Sequence, residues 1–270
     1  LLLIFYLLKN KNTLVFSFQA NLSSILIAKI FNAKIIVRLN SSPSGWIKSK
    51  FKEKIFKKIY SFADLIIVNS EEFKKELRIK LNVKSFCIFN PLDKKNIIQK
   101  SKKKINNIFF KKKNTLKIIN VARLVDQKDH ITLLKSINLL KNKIKIMLII
   151  IGRGHNKSKI EEYIRINSLE NNVKILDFKK NPYPYLKSSD VFVLSSRYEG
   201  LPNVLLEAIT LKKFIISSDC PTGPKEILEN GKNGILFKTG SYKDLSKKIL
   251  YYKKIKFKEN KIKKDFKALH

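Results

Sequence analysis

The feature that most limits what this chain can fold into is its alternation of short apolar runs with longer segments of helical periodicity. TLVFSF (Thr13–Phe18), AKIIVRL (Ala33–Leu39) and ADLIIVNS (Ala63–Ser70) are largely apolar and rich in β-branched residues, the pattern of strands buried in a parallel sheet. Between them, LSSILIAKIF and a basic segment from about Trp46 to Tyr60 have helical spacing, so the order is βαβ. After IFNPLD (Ile88–Asp93), where Asn-Pro acts as a breaker, a lysine- and asparagine-rich stretch runs to Asn114. Beyond it LKIINVA, IKIMLIIIG, NVKILDF, DVFVLSS, FIISS and GILF alternate with helical segments. This predicts an α/β protein whose second half is a nearly complete doubly wound domain and whose first half is part of another. The expected divisions are a first domain over 1–95, a linker over 96–114, a second domain over 115–255, and a basic tail or helix over 256–270.

Composition supports two globular domains, with 270 residues, 44% hydrophobic and 29% charged. The formal charge of +36 would ordinarily point to nucleic acid or an anionic membrane surface. A competing cause is base composition, because Lys, Ile, Asn and Phe all have AT-rich codons. Cys87 and Cys220 form no CxxC pair, which fits a reducing cytoplasm and indicates neither a disulfide framework nor a zinc site. His130, His155 and His270 lack metal-ligand spacing and read as loop or surface residues. The opening run LLLIFYLL is too short for a membrane span or a signal peptide and reads as an internal helix of a truncated chain. No stretch reaches the roughly 18 apolar residues of a span.

In open α/β sheets ligands sit beyond the carboxyl ends of the strands, so the residues just after each apolar run carry the information. Arg123 and Lys128 follow the first strand of the second half, and Gly152 and Gly154 follow the next, in GRGHNK. Asp177 and Phe178 open DFKKNPYPYL. The last such stretch, SSRYEGLPNVLLEAI, holds Glu199 and Glu207 on either side of Gly200, Leu201, Pro202, Asn203 and Val204. The basic pair and the glycine pair are each weak alone, since basic pairs abound in this composition and a lone GxG is often only a turn, and the stretch with Glu199 and Glu207 is the specific one. Placed together they suit a ligand with phosphates and hydroxyls. An arginine grips phosphate oxygens, a helix start behind Pro202 offers N–H groups to an anion, and carboxylates accept from hydroxyls. A nucleotide sugar is such a ligand. The plainer alternatives are a helix-dipole carboxylate for Glu199 and a surface ion pair for Glu207.

The ordered segments VARLVDQKD, IIGRGHNKSKIEEYI, NPYPYLKSSDVFVLSSRYEGLPNVLLEAI and SDCPTGPKEILENGKNGILF resemble the donor-binding domain of the retaining family 4 glycosyltransferases. ADLIIVNSEEFKKEL and IFNPLD resemble the end of that family's first domain. The resemblance implies a GT-B fold, two Rossmann-like domains with parallel sheets facing a cleft, with the first domain incomplete. It implies a hexose moved from a nucleotide sugar, a UDP-sugar, to a surface-glycan or lipid-linked acceptor on the cytoplasmic membrane face, without a metal or other cofactor. It gives Arg123 and Lys128 the donor diphosphate, Glu207 the ribose, and Glu199 the transferred sugar's hydroxyls. The backbone from Gly200 to Val204 falls to the sugar and distal phosphate, and that of Asp177 and Phe178 to the base.

Four departures from the family pattern stand out. Lys213 and Asp177 occupy positions where glycine is frequent, and the first strand with its glycine-rich loop is absent. A histidine often found after a strand is replaced by VRLNSSPSGW, where Arg38, Asn40 and Ser41 are candidates to line the cleft. An inactive fragment therefore stays open beside the enzyme. So does a non-catalytic polyanion binder, although no aromatics gather into an RNA-binding motif and nucleic acid is the poorer partner. The helix WIKSKFKEKIFKKIYSF sets Ile47, Phe51, Ile55 and Ile59 among lysines, so it either packs its apolar stripe on its own sheet or brings the protein to an anionic membrane.

Overall fold

The computed structural model describes residues 2–18, 22–105 and 114–268. They form two compact units. One comprises Leu1–Pro91 with Tyr198–Asn203 and Cys220–Ile227; the other comprises Leu92–Arg197, Val204–Asp219 and Leu228–His270.

The first unit contains α1 (Leu2–Lys9), β1 (Leu14–Phe18), α2 (Leu22–Ile30), β2 (Lys34–Leu39), α3 (Lys50–Tyr60), β3 (Leu65–Val68), α4 (Glu71–Leu81) and β4 (Phe86–Cys87). Its four strands form a parallel sheet in chain order, with Val15 opposite Ile35 and Val37 opposite Ile66. Strands added in one direction through right-handed crossovers put their helices on one face. The core agrees, since Ile25 of α2, Tyr60 of α3, and Phe73 and Leu77 of α4 all pack with Ile35, Val37 and Val68. The segment expected to be helical from Trp46 begins its α-helix only at Lys50. Pro43–Gly45 is a separate 3-10 turn, and Ser49, in extended conformation, caps α3 by accepting from Lys52 N. β4, two residues long, carries no periodic signal and was not expected.

The second unit opens at Leu92, ahead of the expected linker; Asp93 accepts from Asn96 N at 2.9 Å and starts α5 (Lys94–Ser101), which runs into that linker. Of that linker, residues 106–113 lie outside the described residues. Then follow β5 (Leu116–Val121), α6 (His130–Leu140), β6 (Ile146–Ile151), α7 (Lys157–Ile166), β7 (Val173–Leu176), α8 (Tyr183–Ser188) and β8 (Val191–Leu194). α9 (Asn203–Thr210), β9 (Phe214–Ser218), β10 (Ile235–Phe237) and α11 (Tyr242–Ala268) come next, while α10 (Pro224–Ile227), between β9 and β10, belongs to the first unit. The six strands are parallel in the order β10-β9-β8-β5-β6-β7, so the winding reverses between β5 and β8. β6 and β8 are buried at every residue, as strands covered on both faces must be. No described helix is long and apolar enough to cross a membrane.

His130, expected at the surface, is instead buried at the start of α6. Asn120 Nδ2 donates to Val193 O at 2.8 Å, which leaves Asn120 Oδ1 to accept from His130 Nε2 at 3.1 Å and fixes the neutral Nε2–H tautomer. Burial, with Lys128's charge adding to it, pushes its pKa down to about 4. His155 is exposed, and His270 lies outside the described residues.

Candidate functional site

The loops that leave β5, β6 and β7 meet α9 around a cavity of about 770 Å³ in the second unit. Arg123 reaches it because its neighbour Leu124 is drawn into the core, fully buried and bonded through its N–H to Arg153 O at 2.9 Å. Gly152 and Gly154 reach it because the loop after β6 presses on the loop after β5. A Cβ on Gly152 would stand 1.9 Å from Ala122 O, and one on Gly154 2.2 Å from Leu124 O. Glycine at both positions therefore serves close backbone packing first. The Gly152 N–H is already given to Leu176 O at 3.0 Å.

Across the cavity Phe178 is 59% exposed, with the Arg153 guanidinium carbon 5.2 Å from its ring centre, within cation–π range. Tyr183, on the first turn of α8, places its hydroxyl 3.5 Å from Glu207 Oε1. Burial raises the Glu207 carboxyl pKa, the Tyr183 hydrogen bond pulling the other way, and burial and Glu207 together raise that of Tyr183. The lining thus joins Arg123, Arg153, Lys179 and Lys180 to a single carboxylate, Glu207. Such a basin attracts a dianion while keeping one strong acceptor for hydroxyls. Among the described residues no three His, Cys, Asp or Glu side chains are placed to hold a metal ion.

Of the residues expected from sequence, the structure gathers Arg123, Gly152, Gly154, Phe178 and Glu207 at this cavity. Lys128 does not line it; it ends a 3-10 turn whose Lys128 carbonyl accepts from Ser195 Oγ at 2.9 Å. Asp177 points elsewhere, into an exposed ion pair with Lys157 at 2.9 Å that holds its carboxyl below the ordinary value. Val204 is half-buried on the first turn of α9, and Pro202 immediately precedes that helix. Glu199, Gly200, Leu201, Pro202 and Asn203 belong to the first unit, not to the unit that holds the cavity. Glu199 is buried, and its carbonyl accepts from Ser42 N at 2.8 Å and Thr222 Oγ1 at 2.7 Å. Gly200 faces the chain after β2 so closely that a Cβ would come 2.3 Å from Asn40 O. The Asn203 amide oxygen accepts from Asn90 Nδ2 at 2.8 Å. Arg38 is committed to Ile88 O and Asn90 Oδ1, while Asn40 is exposed.

Arg153, Lys179, Lys180 and Tyr183 were not expected, although GRGHNK and DFKKNPYPYL contain them; in so basic a chain their side chains carry no signal until the loops are placed. Lys213 costs the loop little. The left-handed residue there is Lys212 (φ 54°), and Lys213 Nζ bonds the carbonyls of Lys187 and Ser189 at 2.7 and 3.0 Å. Glu226, in the GPKE turn, accepts from Glu71 N and Glu72 N at 3.2 and 2.9 Å, beside the Ser70 cap of α4.

Comparison with known proteins bears on this geometry. The pattern of the glycosyl transferases group 1 family matches residues 101–268. An uncharacterized glycosyltransferase of Methanocaldococcus jannaschii is 37% identical over 259 residues, 84% of this chain and 63% of that protein. The Campylobacter jejuni N-acetylgalactosamine-N,N'-diacetylbacillosaminyl-diphospho-undecaprenol 4-alpha-N-acetylgalactosaminyltransferase is 30% identical over 221 residues, 78% of this chain and 58% of that protein. The chain therefore spans about three fifths of the length of these relatives. The crystal structure of Anabaena Alr3699/HepE in complex with UDP-glucose superimposes with a TM-score of 0.72 at 19% identity, covering 91% of this chain and 69% of that one. The fold they share is GT-B.

Proposed function

The chain belongs to the glycosyl transferases group 1 family, and on that premise we propose that the cavity of its second unit takes the nucleoside diphosphate of a nucleotide sugar, a UDP-sugar. The observation that carries this reading is the convergence of Arg123, Phe178 and Glu207, from three separate segments, on one cavity at the carboxyl end of the sheet. Arg123 binds the diphosphate, with Lys179 and Lys180 as further cations of the same lining. Phe178, backed by Arg153, offers a flat face to the base, and Glu207, steadied by Tyr183, accepts from the ribose hydroxyls.

The reaction is hexosyl transfer with retention of configuration. As the bond from the anomeric carbon to the phosphate oxygen breaks, the acceptor hydroxyl forms its bond on the same face and its proton passes to the departing phosphate. The cations hold the charge that develops on the diphosphate, which is where electrostatic preorganisation lowers a barrier most. Glu199 positions the sugar and is not a nucleophile. The acceptor is a surface-glycan or lipid-linked saccharide met at the cytoplasmic face of the membrane. Support comes from the Campylobacter relative, whose name specifies a diphospho-undecaprenol acceptor, and from the UDP-glucose held by HepE.

The test offers UDP-, GDP- and ADP-sugars with a polyprenyl-diphosphate saccharide, reads nucleoside diphosphate release, and determines the new linkage by NMR. Release confined to uridine donors, with an α-linked product from an α-linked donor, is expected. A β-linked product would overturn retention, and preference for another base would overturn the uridine assignment. Binding of no nucleoside diphosphate would overturn the donor site itself.

A further inference from the structure

α3 has two faces of different character. Its inner face is fixed by an aromatic cluster in which Trp46 and Phe56 lie 4.7 Å apart and each is 6.0 Å from Tyr60, itself only 2% exposed. Ile59 and Ile47 pack beside them, so half of the apolar stripe read from the sequence belongs to the core. The other half does not. Phe51 is 73% exposed and Ile55 38%, one turn apart on the outward side. Lys48, Lys50, Lys52, Lys54, Lys57 and Lys58 are all exposed around them, and Glu53 is the helix's single acidic residue.

We propose that this face of α3 seats the protein on an anionic lipid bilayer, Phe51 and Ile55 entering between headgroups and the lysines resting on lipid phosphates. Both halves of the surface are needed for that assignment. Six lysines against one glutamate complement a negatively charged leaflet. An exposed phenylalanine and isoleucine in their midst gain nothing from a phosphate backbone but gain from the acyl boundary. A nucleic acid would use the lysines and leave Ile55 without a role, because single strands are held by stacked aromatics in a groove, whereas α3 offers one phenylalanine on a convex helix. The inner aromatic cluster adds rigidity, so no helix has to fold at the surface.

The test uses the full chain with vesicles of phosphatidylcholine alone or with about 30% phosphatidylglycerol, at low salt where exposed charges are little screened. Sedimentation with the anionic vesicles only, reversed by high salt, is expected. Phe51→Ser with Ile55→Ser keeps the net charge and should weaken binding about tenfold or more. Lys54→Glu with Lys58→Glu should weaken it at least as much. The same charge change at Lys143 and Lys145, exposed lysines of the second unit, should cost less than about threefold. Phe51→Trp should shift its emission to the blue on vesicle addition. Circular dichroism confirms that each variant is folded. Unchanged binding of the Phe51/Ile55 variant would overturn the proposal, as would an equal loss in the Lys143/Lys145 variant. Tighter binding to a single-stranded oligonucleotide than to anionic vesicles at the same salt would assign this face to nucleic acid instead.

Discussion

Gly152→Ala adds a single methyl group where the loop after β6 crosses the loop after β5. The new carbon would lie 1.9 Å from Ala122 O, a backbone atom that no side-chain rotation can move aside. The two loops must part by more than an ångström, against three hydrogen bonds that hold them. These run from Ala122 N to Ile151 O (3.1 Å), from Leu124 N to Arg153 O (2.9 Å) and from Asn156 N to Leu124 O (3.0 Å). Losing two or three such bonds costs about 1 kcal/mol each. Alanine's lower entropy in the unfolded chain returns about 0.4–1 kcal/mol. The net loss is about 1–3 kcal/mol, and a unit of this size loses about 2–4 °C of melting temperature per kcal/mol. Thermal unfolding followed by circular dichroism should therefore show a fall of about 2–12 °C. Since Gly152 lines the cavity, UDP affinity should fall in the same variant. Melting within about 1 °C of wild type would refute the close apposition of these loops and the structural reason given for the glycine.

Three further outcomes are expected. His130 keeps its proton off to about pH 4 in the folded chain, whereas an unfolded histidine takes one up near about 6.5. Its contribution to stability is therefore complete above about pH 6.5, declines as pH falls through that window, and levels off below about 4 after a loss of about 3 kcal/mol. Urea unfolding of wild type and His130→Gln between these limits should show their stability difference change by about that amount; a constant difference would refute it. Glu226→Ala removes the carboxylate from the first amides of α4 while the Ser70 cap remains, and should cost about 1 kcal/mol in urea unfolding, whereas no loss would show that those amides need no partner. Because burial raises the Glu207 carboxyl pKa, UDP affinity should weaken as pH falls into its titration range, and Glu207→Gln should abolish that pH dependence; parallel curves would remove Glu207 from the nucleotide contacts.

The strands were legible because buried parallel strands are written as continuous apolar runs, and IKIMLIIIG becomes the wholly buried β6. The two-residue β4 was not, since no period can be read in so short an element. Apolar spacing runs on through Trp46 and Ile47 and so points to an earlier start for α3, whereas Ser49 decides where the helix begins. Half of the site could be read from the chain. Arg123 and Glu207 sit at fixed offsets from strand ends and fall at the cavity, but Tyr183 and Arg153 are brought there only by the fold. Glu199 and Glu207 are eight positions apart in sequence, yet they belong to different compact units. His130 is buried beside a tertiary partner, Asn120, that no local pattern announces.

Calorimetric titration of the chain with UDP, GDP, ADP and single-stranded DNA at moderate salt, repeated on Arg123→Ala and Glu207→Ala, tests the donor site most directly. Saturable binding of UDP at one site is expected, weakened about tenfold or more by each substitution as charged hydrogen bonds are lost. Equal heats from every polyanion, unchanged in both variants, would contradict it.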